Sequence, residues 1–340
     1  MVKKKSGFVW WVFFLIVFFG IGSLFVLGNN MSIAANFADD VLRPLLGNEK
    51  TILLESYLFD VMDQANQVFY KVNPAPPLKN EGIWKPVSLP QFPDQELLQT
   101  TYIRPDPIRS YAQVLLVKMN MKELAINAVA GTLEPGKPIG NPGSGKIPVE
   151  IQKGKMLVAA FNGGFQYRDG RYGMMVGSKT YVPLRTNLGT LVIRKNGVEL
   201  INYTGQDLGK DVVAVRQNGP ILAENGKFVD NSPEDMRTWG LTVTKTMSTW
   251  RSGLGVTKEG DLIYAVGPSL LPETLAKALI LGGAESAIQL DINPFWVRYT
   301  VFSPNGKGWY TFTSIDSHLT NGGNAYLSGY KKDFFYVFKR

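Results

Sequence analysis

Asp291 closes the apolar run Ala287 to Leu290 and is followed by Ile292-Asn293-Pro294. A carboxylate where a strand meets a turn can serve as nucleophile, as base, or as electrostatic partner of a developing positive charge. Two arginines occupy comparable places, Arg216 in Arg216-Gln217-Asn218-Gly219-Pro220 and Arg251 in Arg251-Ser252-Gly253-Leu254-Gly255. A guanidinium presents paired planar donors suited to a carboxylate or a phosphate, and it stays charged at physiological pH. Asn162 follows the apolar run Met156 to Phe161, and Gly163-Gly164 let the backbone pass close to a ligand and present its amides. Each residue also has a purely structural reading. Asn-Gly-Gly makes turns, arginines at strand ends pair with neighbouring carboxylates, and Asp291 with Asn293 could build an Asx-type turn.

Taken in order, the blocks Phe161 to Phe165, Arg216 to Pro220, Trp250 to Thr257 and Gln289 to Pro294 resemble the phosphodiester glycosidase family, over roughly Tyr102 to Arg340. The resemblance implies a hydrolase that removes a sugar from a glycosyl-1-phosphodiester, with Asp291 as a catalytic carboxylate. It further implies substrate contacts from Asn162, Gly163, Gly164, Arg216, Asn218, Arg251 and Asn293. Glu285 is nominated as the second carboxylate, while Asp207, Asp211 and Glu224 read equally well as surface residues. The family commonly reads Leu-Asp-Gly-Gly-Gly-Ser where this chain has Leu290-Asp291-Ile292-Asn293-Pro294. That change opens an alternative, a catalytically inactive saccharide- or phosphate-binding module. A third reading is an anchored structural protein whose helices recruit partners. Trp250, Trp296, Tyr167 and Tyr172 lie near the blocks and could stack on a sugar, although aromatic residues more commonly fill cores.

Other chemistries find little support. The chain has no cysteine, which removes thiolate nucleophiles, thiolate metal sites and disulfides together. His318 is the only histidine, in Asp316-Ser317-His318, and no Gly-x-Ser-x-Gly elbow accompanies it, so it reads as a loop residue. Zinc and copper centres therefore lack ligands, and no metal site or cofactor is expected. A calcium or magnesium ion on Asp291, asparagine side chains and carbonyls is compatible with the residues, but nothing in the spacing demands it. Gly140 to Gly145 followed by Lys146 lacks the Ser/Thr and helix start of a nucleotide loop and reads as a flexible loop or lid. Of the net charge of +8, Lys3, Lys4 and Lys5 account for three, and the remainder favours anionic partners weakly, yet no basic cluster with interleaved aromatics marks a nucleic-acid surface. Lys331-Lys332 and Lys339-Arg340 read as solvated ends.

The elements that must position these groups follow from pattern. Lys3, Lys4 and Lys5 precede an uncharged run from Phe8 to Leu27, long enough as a helix to span a bilayer. The expectation is a signal anchor over 1–33 with its N-terminus cytoplasmic and the bulk outside; cleavage near Ser32-Ile33-Ala34 is the competing reading. Residues 34–72 carry a helical pattern broken at Gly47-Asn48, expected as membrane-proximal amphipathic helices that pack locally or dimerise. The proline-rich stretch 73–101 is expected to run extended as a linker, with packing starting as early as Trp84. A glycosidase-like domain is expected over 102–340. Its class reads as α+β with mainly antiparallel sheets and few flanking helices. Strands are expected over Ala112 to Lys118, Leu124 to Ala130, Leu191 to Arg194, Val198 to Tyr203, Gly253 to Thr257 and Leu262 to Val266. Buried central strands fit Met156 to Phe161, Val212 to Val215 and Ala287 to Leu290. Phe334 to Phe338 is expected to close a sheet, and one helix starts at Pro272 and stops at Gly282-Gly283.

Overall fold

A computed structural model of the chain describes residues 78–340 except 107–108, 110–111, 136–141, 155, 231–238, 241–247, 306–309, 317 and 320–321, together with 43–47, 50, 51, 54 and 57. The expected anchor at Phe8 to Leu27 lies outside the described residues, as does most of the pattern to 72. No helix among the described residues is long and apolar enough to cross a membrane. Within residues 1–51, a short helix spans Arg43–Leu46, and Gly47 follows at φ 79°.

Residues 52–340 form a separate unit, and its described strands make three antiparallel sheets. The largest has eight strands, in the order β1 (Lys85–Pro86), β2 (Leu98–Ile103), β3 (Val114–Met119), β14 (Leu262–Leu270), β13 (Thr249–Thr257), β15 (Ala284–Ile292), β11 (Ile221–Glu224) and β12 (Lys227–Phe228). A five-stranded sheet follows the order β7 (Lys179–Val182), β6 (Met174–Val176), β10 (Val212–Gln217), β8 (Leu188–Arg194) and β9 (Gly197–Tyr203). The third sheet has the order β17 (Tyr310–Ser314), β16 (Tyr299–Pro304), β5 (Leu157–Asn162), β18 (Phe334–Lys339) and β4 (Leu124–Val129). Strands far outnumber helices, as expected for this class.

Burial explains the apolar runs. Every residue of β5, β13 and β14 is buried, so these strands read as continuous rather than alternating patterns. The helix Pro272–Leu281 seats Leu275 and Leu279 against β13, where a side chain in place of Gly253 would meet both at 3.1 Å. Burying two leucines is worth about 3–6 kcal/mol in total at ordinary transfer values. Gly253 therefore serves packing, and it accounts for part of the Arg-Ser-Gly-Leu-Gly spelling. Leu271 N–H bonds Thr274 Oγ1 at 2.7 Å to start this helix, and Gly283 at φ 103° ends it.

The structure refines several expectations. The boundary near Tyr102 falls inside β2, and Leu89, Leu97 and Leu98 are already buried, so packing includes part of the proline-rich stretch. β3 and β4, either side of Asn120-Met121-Lys122, enter different sheets, because Glu123 and Leu124 amides both bond the Asn120 carbonyl in a tight turn that redirects the chain. β18 lies between β5 and β4 and is an interior strand, not an edge. The described end of the Gly140 to Gly145 loop is pinned to the body: Gly143 and Gly145 amides bond the Gly131 and Ala130 carbonyls at 3.0 Å.

Candidate active site

Segments from two of the three sheets meet at Gly163, and Arg216 of β10 in the third packs against Gly164 beside it. The Gly163 amide donates to the Asp333 carbonyl at 3.1 Å, and its carbonyl accepts from the Asp291 amide at 3.2 Å. A Cβ at this position would lie 2.0 Å from Asp333 Oδ2, so only glycine lets the segments after β5, before β18 and at the end of β15 approach this closely. Asn162 organises the same junction. Its Nδ2 donates to Ser252 Oγ at 2.9 Å and to Gly163 O at 3.0 Å, while its Oδ1 accepts from the Tyr264 hydroxyl at 2.7 Å and from the Arg298 amide at 3.0 Å. Ser252 Oγ in turn donates to the Asp291 carbonyl at 2.8 Å. Asn162 is thus a fully bonded buried scaffold residue rather than an open ligand contact.

Asp291 owes its placement to a bulge. Between Gln289 and Ile292, β15 takes three steps against the two from Gly253 to Arg251 on β13, and the extra residue re-aims the side chain. One carboxylate oxygen, Oδ1, accepts from the Ile292 amide at 2.9 Å; the other pairs with the Lys332 ammonium. Burial pushes the Asp291 carboxyl up from its ordinary 3.8 to about 6, although Lys332 pulls the other way and Asp333 adds to the rise. A carboxyl that changes charge just below neutral pH suits acid/base work. Lys332 also sits over the ring of Trp296, 4.6 Å from its centroid, and Lys331 lies over the same ring at 5.3 Å. Trp296 is half-buried, whereas Trp250 and Tyr172 are buried in the core and Tyr167 lies beneath Arg171 in a short 3-10 turn.

The altered turn keeps a glycine-like backbone. Asn293 has φ 70°, a left-handed conformation that asparagine tolerates better than most residues. Its amide bonds the Trp250 carbonyl at 2.8 Å, and its carbonyl accepts from Trp296 at 3.1 Å.

Arg216 and Arg251 do not act as exposed phosphate ligands in this structure: both are completely buried. Arg216 makes a two-point pair with Asp333, Nε to Oδ2 at 2.9 Å and Nη2 to Oδ1 at 3.3 Å, and donates further to the Phe165 and Gln217 carbonyls. Arg251 donates to the Leu270 and Trp239 carbonyls and to Gln289 Oε1 at 2.7–2.8 Å, and burial lowers its guanidinium to about 9. The structural alternative, a strand-end arginine paired with a carboxylate, describes Arg216. Asn218 is also internal, with Oδ1 accepting from the Phe165 amide and Nδ2 donating to the Gln289 and Leu290 carbonyls. Gly164 packs against Asn218 and Arg216, and its amide bonds Asp333 Oδ2 at 3.2 Å.

Glu285 must be withdrawn as the second carboxylate. It is exposed at the opposite end of β15, six residues from Asp291 and so about 20 Å away at strand rise. The carboxylate beside Asp291 is Asp333, and the neighbouring cation is Lys332, both buried rather than solvated. Their signal was present: Lys332-Asp333 immediately precede the apolar strand Phe334 to Phe338, the same setting that singled out Asp291. Among the described residues no group of three or more acidic or histidine side chains could hold a metal ion. His318 bonds Asp316 Oδ1 through Nδ1 at 2.7 Å, and Tyr102 bonds the other oxygen of the same carboxylate.

Residues 155–291 match the sequence model of the phosphodiester glycosidase family. A search of curated proteins finds no match. Among solved structures, the chain is similar to the zebrafish N-acetylglucosamine-1-phosphodiester alpha-N-acetylglucosaminidase catalytic domain auto-inhibited by pro-peptide, at 14% identity and TM-score 0.47, covering 76% of this chain and 88% of that one. It is also similar to a hypothetical protein from Synechocystis, at 14% identity and TM-score 0.36, covering 72% of this chain and 62% of that one.

Proposed function

We propose that this chain is a phosphodiester glycosidase that cleaves a sugar from a glycosyl-1-phosphodiester, with Asp291 as the acting carboxylate. The observation that carries the reading is the buried Asp291–Lys332 pair between the end of β15 and the segment before β18, at the C-terminal boundary of the family match. Breaking a glycosyl–phosphate bond develops positive charge at the anomeric carbon, and an ionised carboxylate beside that carbon stabilises it as nucleophile or as electrostatic partner. The departing phosphate is already a good leaving group, so a single well-placed carboxylate meets the main requirement. Lys332 favours the ionised form of Asp291 against the penalty of burial. Asp291 is only 4% exposed, so substrate entry requires Lys332 or the half-buried Trp296 to move aside. With Asn293 in the backbone conformation a glycine would take, the altered turn gives no reason to favour a catalytically inactive binding module.

Lys3 to Lys5 and the run Phe8 to Leu27 support placing this activity outside the cytoplasm on a single-pass anchor, where glycosyl-phosphate units of a cell envelope are the natural substrate class. Asp291→Asn tests the chemistry. A folded variant that binds but does not turn over a glycosyl phosphodiester fits the proposal. Unchanged turnover assigns the reaction to another group, and binding without turnover by the unaltered chain identifies a binding module. Protease added to sealed cells tests the topology: protection of 102–340 would exclude the external placement.

A further inference from the structure

With Arg216 and Arg251 sealed inside, the cation that meets the phosphate must come from elsewhere. Arg298 lies beyond the 155–291 match and follows the Asn293 turn. Its backbone amide bonds Asn162, which in turn bonds Ser252, so Arg298 lies two hydrogen bonds from the Ser252–Asp291 contact. Its guanidinium stacks over Tyr330, 5.0 Å from the ring centroid. Among the described residues only one of its side-chain nitrogens, Nη2, has an acceptor, the Phe295 carbonyl at 3.2 Å, and Nε is buried without a partner. No carboxylate among the described residues lies within ion-pair distance of Arg298 or of Lys331.

A second orphan donor lies beside it. Tyr326 is fully buried and its hydroxyl has no partner among the described residues. A Cβ at Gly322 would lie 2.7 Å from Tyr326 Cε2, 3.0 Å from its hydroxyl-bearing carbon and 3.3 Å from Arg298 Cδ, so glycine lets these two side chains converge here. Burial holds the Tyr326 phenol well above its ordinary pKa, so it remains a donor, and the Asp291 charge acts on both Tyr326 and Tyr330. Unpaired buried donors are costly and call for a partner. Two such donors beside an uncompensated guanidinium are the chemistry that recognises an oxyanion.

We propose that Arg298 and the Tyr326 hydroxyl form the anion-binding half of the site and take the phosphate group of a phosphodiester or of the phosphomonoester released from it, with Lys331 as a flanking charge. The assignment to a glycosyl phosphodiester rests on the function proposed above; the affinity for phosphate does not. The test titrates inorganic phosphate into the full chain, Arg298→Met and Tyr326→Phe by calorimetry, and measures KM and kcat on a glycosyl phosphodiester for the same three proteins. Phosphate should bind the unaltered chain and bind Arg298→Met roughly tenfold or more weakly, as loss of a charge-assisted hydrogen bond implies. Tyr326→Phe should bind phosphate about several-fold more weakly while its unfolding midpoint is unchanged or higher, because the hydroxyl it loses has no partner among the described residues. If Arg298→Met fails to fold, Tyr326→Phe decides. Phosphate binding unchanged in the folded variants, or no binding by the unaltered chain, overturns the inference. Phosphate binding that the variants weaken, without turnover of any glycosyl phosphodiester, leaves the anion site standing and removes the glycosidase reading. Turnover whose KM the variants leave untouched does the reverse.

Discussion

Consecutive residues, Lys332 and Asp333, supply two buried ion pairs that differ in how completely their charges are satisfied. Asp333 receives a two-point grip from a completely buried Arg216, and the remaining Arg216 donors go to backbone carbonyls. Lys332 makes one ion contact, to Asp291, and otherwise rests on the half-buried face of Trp296. A planar guanidinium locked in this way cannot rotate away, whereas an ammonium on a flexible stem can. The first arrangement ties the β10 sheet to the β18 sheet; the second leaves a carboxylate with a raised pKa beside a cation that can leave it. Burial of charge alone therefore does not mark a reacting group. The distinguishing feature is how many partners each charge would have to give up.

Asp333→Asn provides the largest expected effect that can break this contrast. It leaves a buried guanidinium uncompensated and should cost about 3–5 kcal/mol of stability by denaturant unfolding. A smaller loss than for Asp291→Asn would reverse the roles assigned to the two pairs. Asp291→Asn should lower turnover by about a hundredfold or more with a smaller stability cost, because Lys332 can withdraw toward solvent. Lys332→Met sharpens the contrast through pH. As a base or nucleophile Asp291 works ionised, so kcat/KM of the unaltered chain should rise with pH through about 6 and then level off. Removing the neighbouring cation should move that rise to higher pH. The sign for stability is opposite. A folded pKa of about 6, above the ordinary 3.8, means the native state holds this proton more tightly, so the Asp291 contribution to stability falls as pH rises between those values. Asn293→Gly gives the smallest effect, within a few tenths of a kcal/mol, whereas Asn293→Ala should cost about 1 kcal/mol for forcing alanine to positive φ.

What could be read from the chain followed what is local. The apolar runs that became β5, β10, β13 and β15, and the helix between Pro272 and Gly282, are properties of short windows. Asn162, Gly163 and Asp291 stood out because each lies at the margin of such a run, and the structure brings them into one hydrogen-bonded junction. Lys332-Asp333 meet the same criterion, but Lys331-Lys332 read as solvated, since two adjacent lysines describe a surface in most contexts. Their burial depends on Asp291 and Arg216, which lie 41 and 117 residues earlier, and no local pattern conveys that. Arginine beside glycine suggested a ligand contact for Arg216 and Arg251. Whether such a side chain faces a ligand or the interior depends on which strand packs over it, a fact of tertiary order. Glu285 was drawn to Asp291 by closeness in sequence, which an extended strand converts into distance.

The Arg216–Asp333 pair also sets an order of events on the ribosome. Arg216 leaves the exit tunnel 117 residues ahead of its counter-ion, a delay of roughly 6 to 23 s at ordinary elongation rates. Through that interval the strand β10 lacks the native counter-ion of its guanidinium, and Gly163 waits for the same late segment. The sheets can form early as separate pieces, but the junction that joins them, and with it the candidate active site, closes only after Asp333 and β18 have been made.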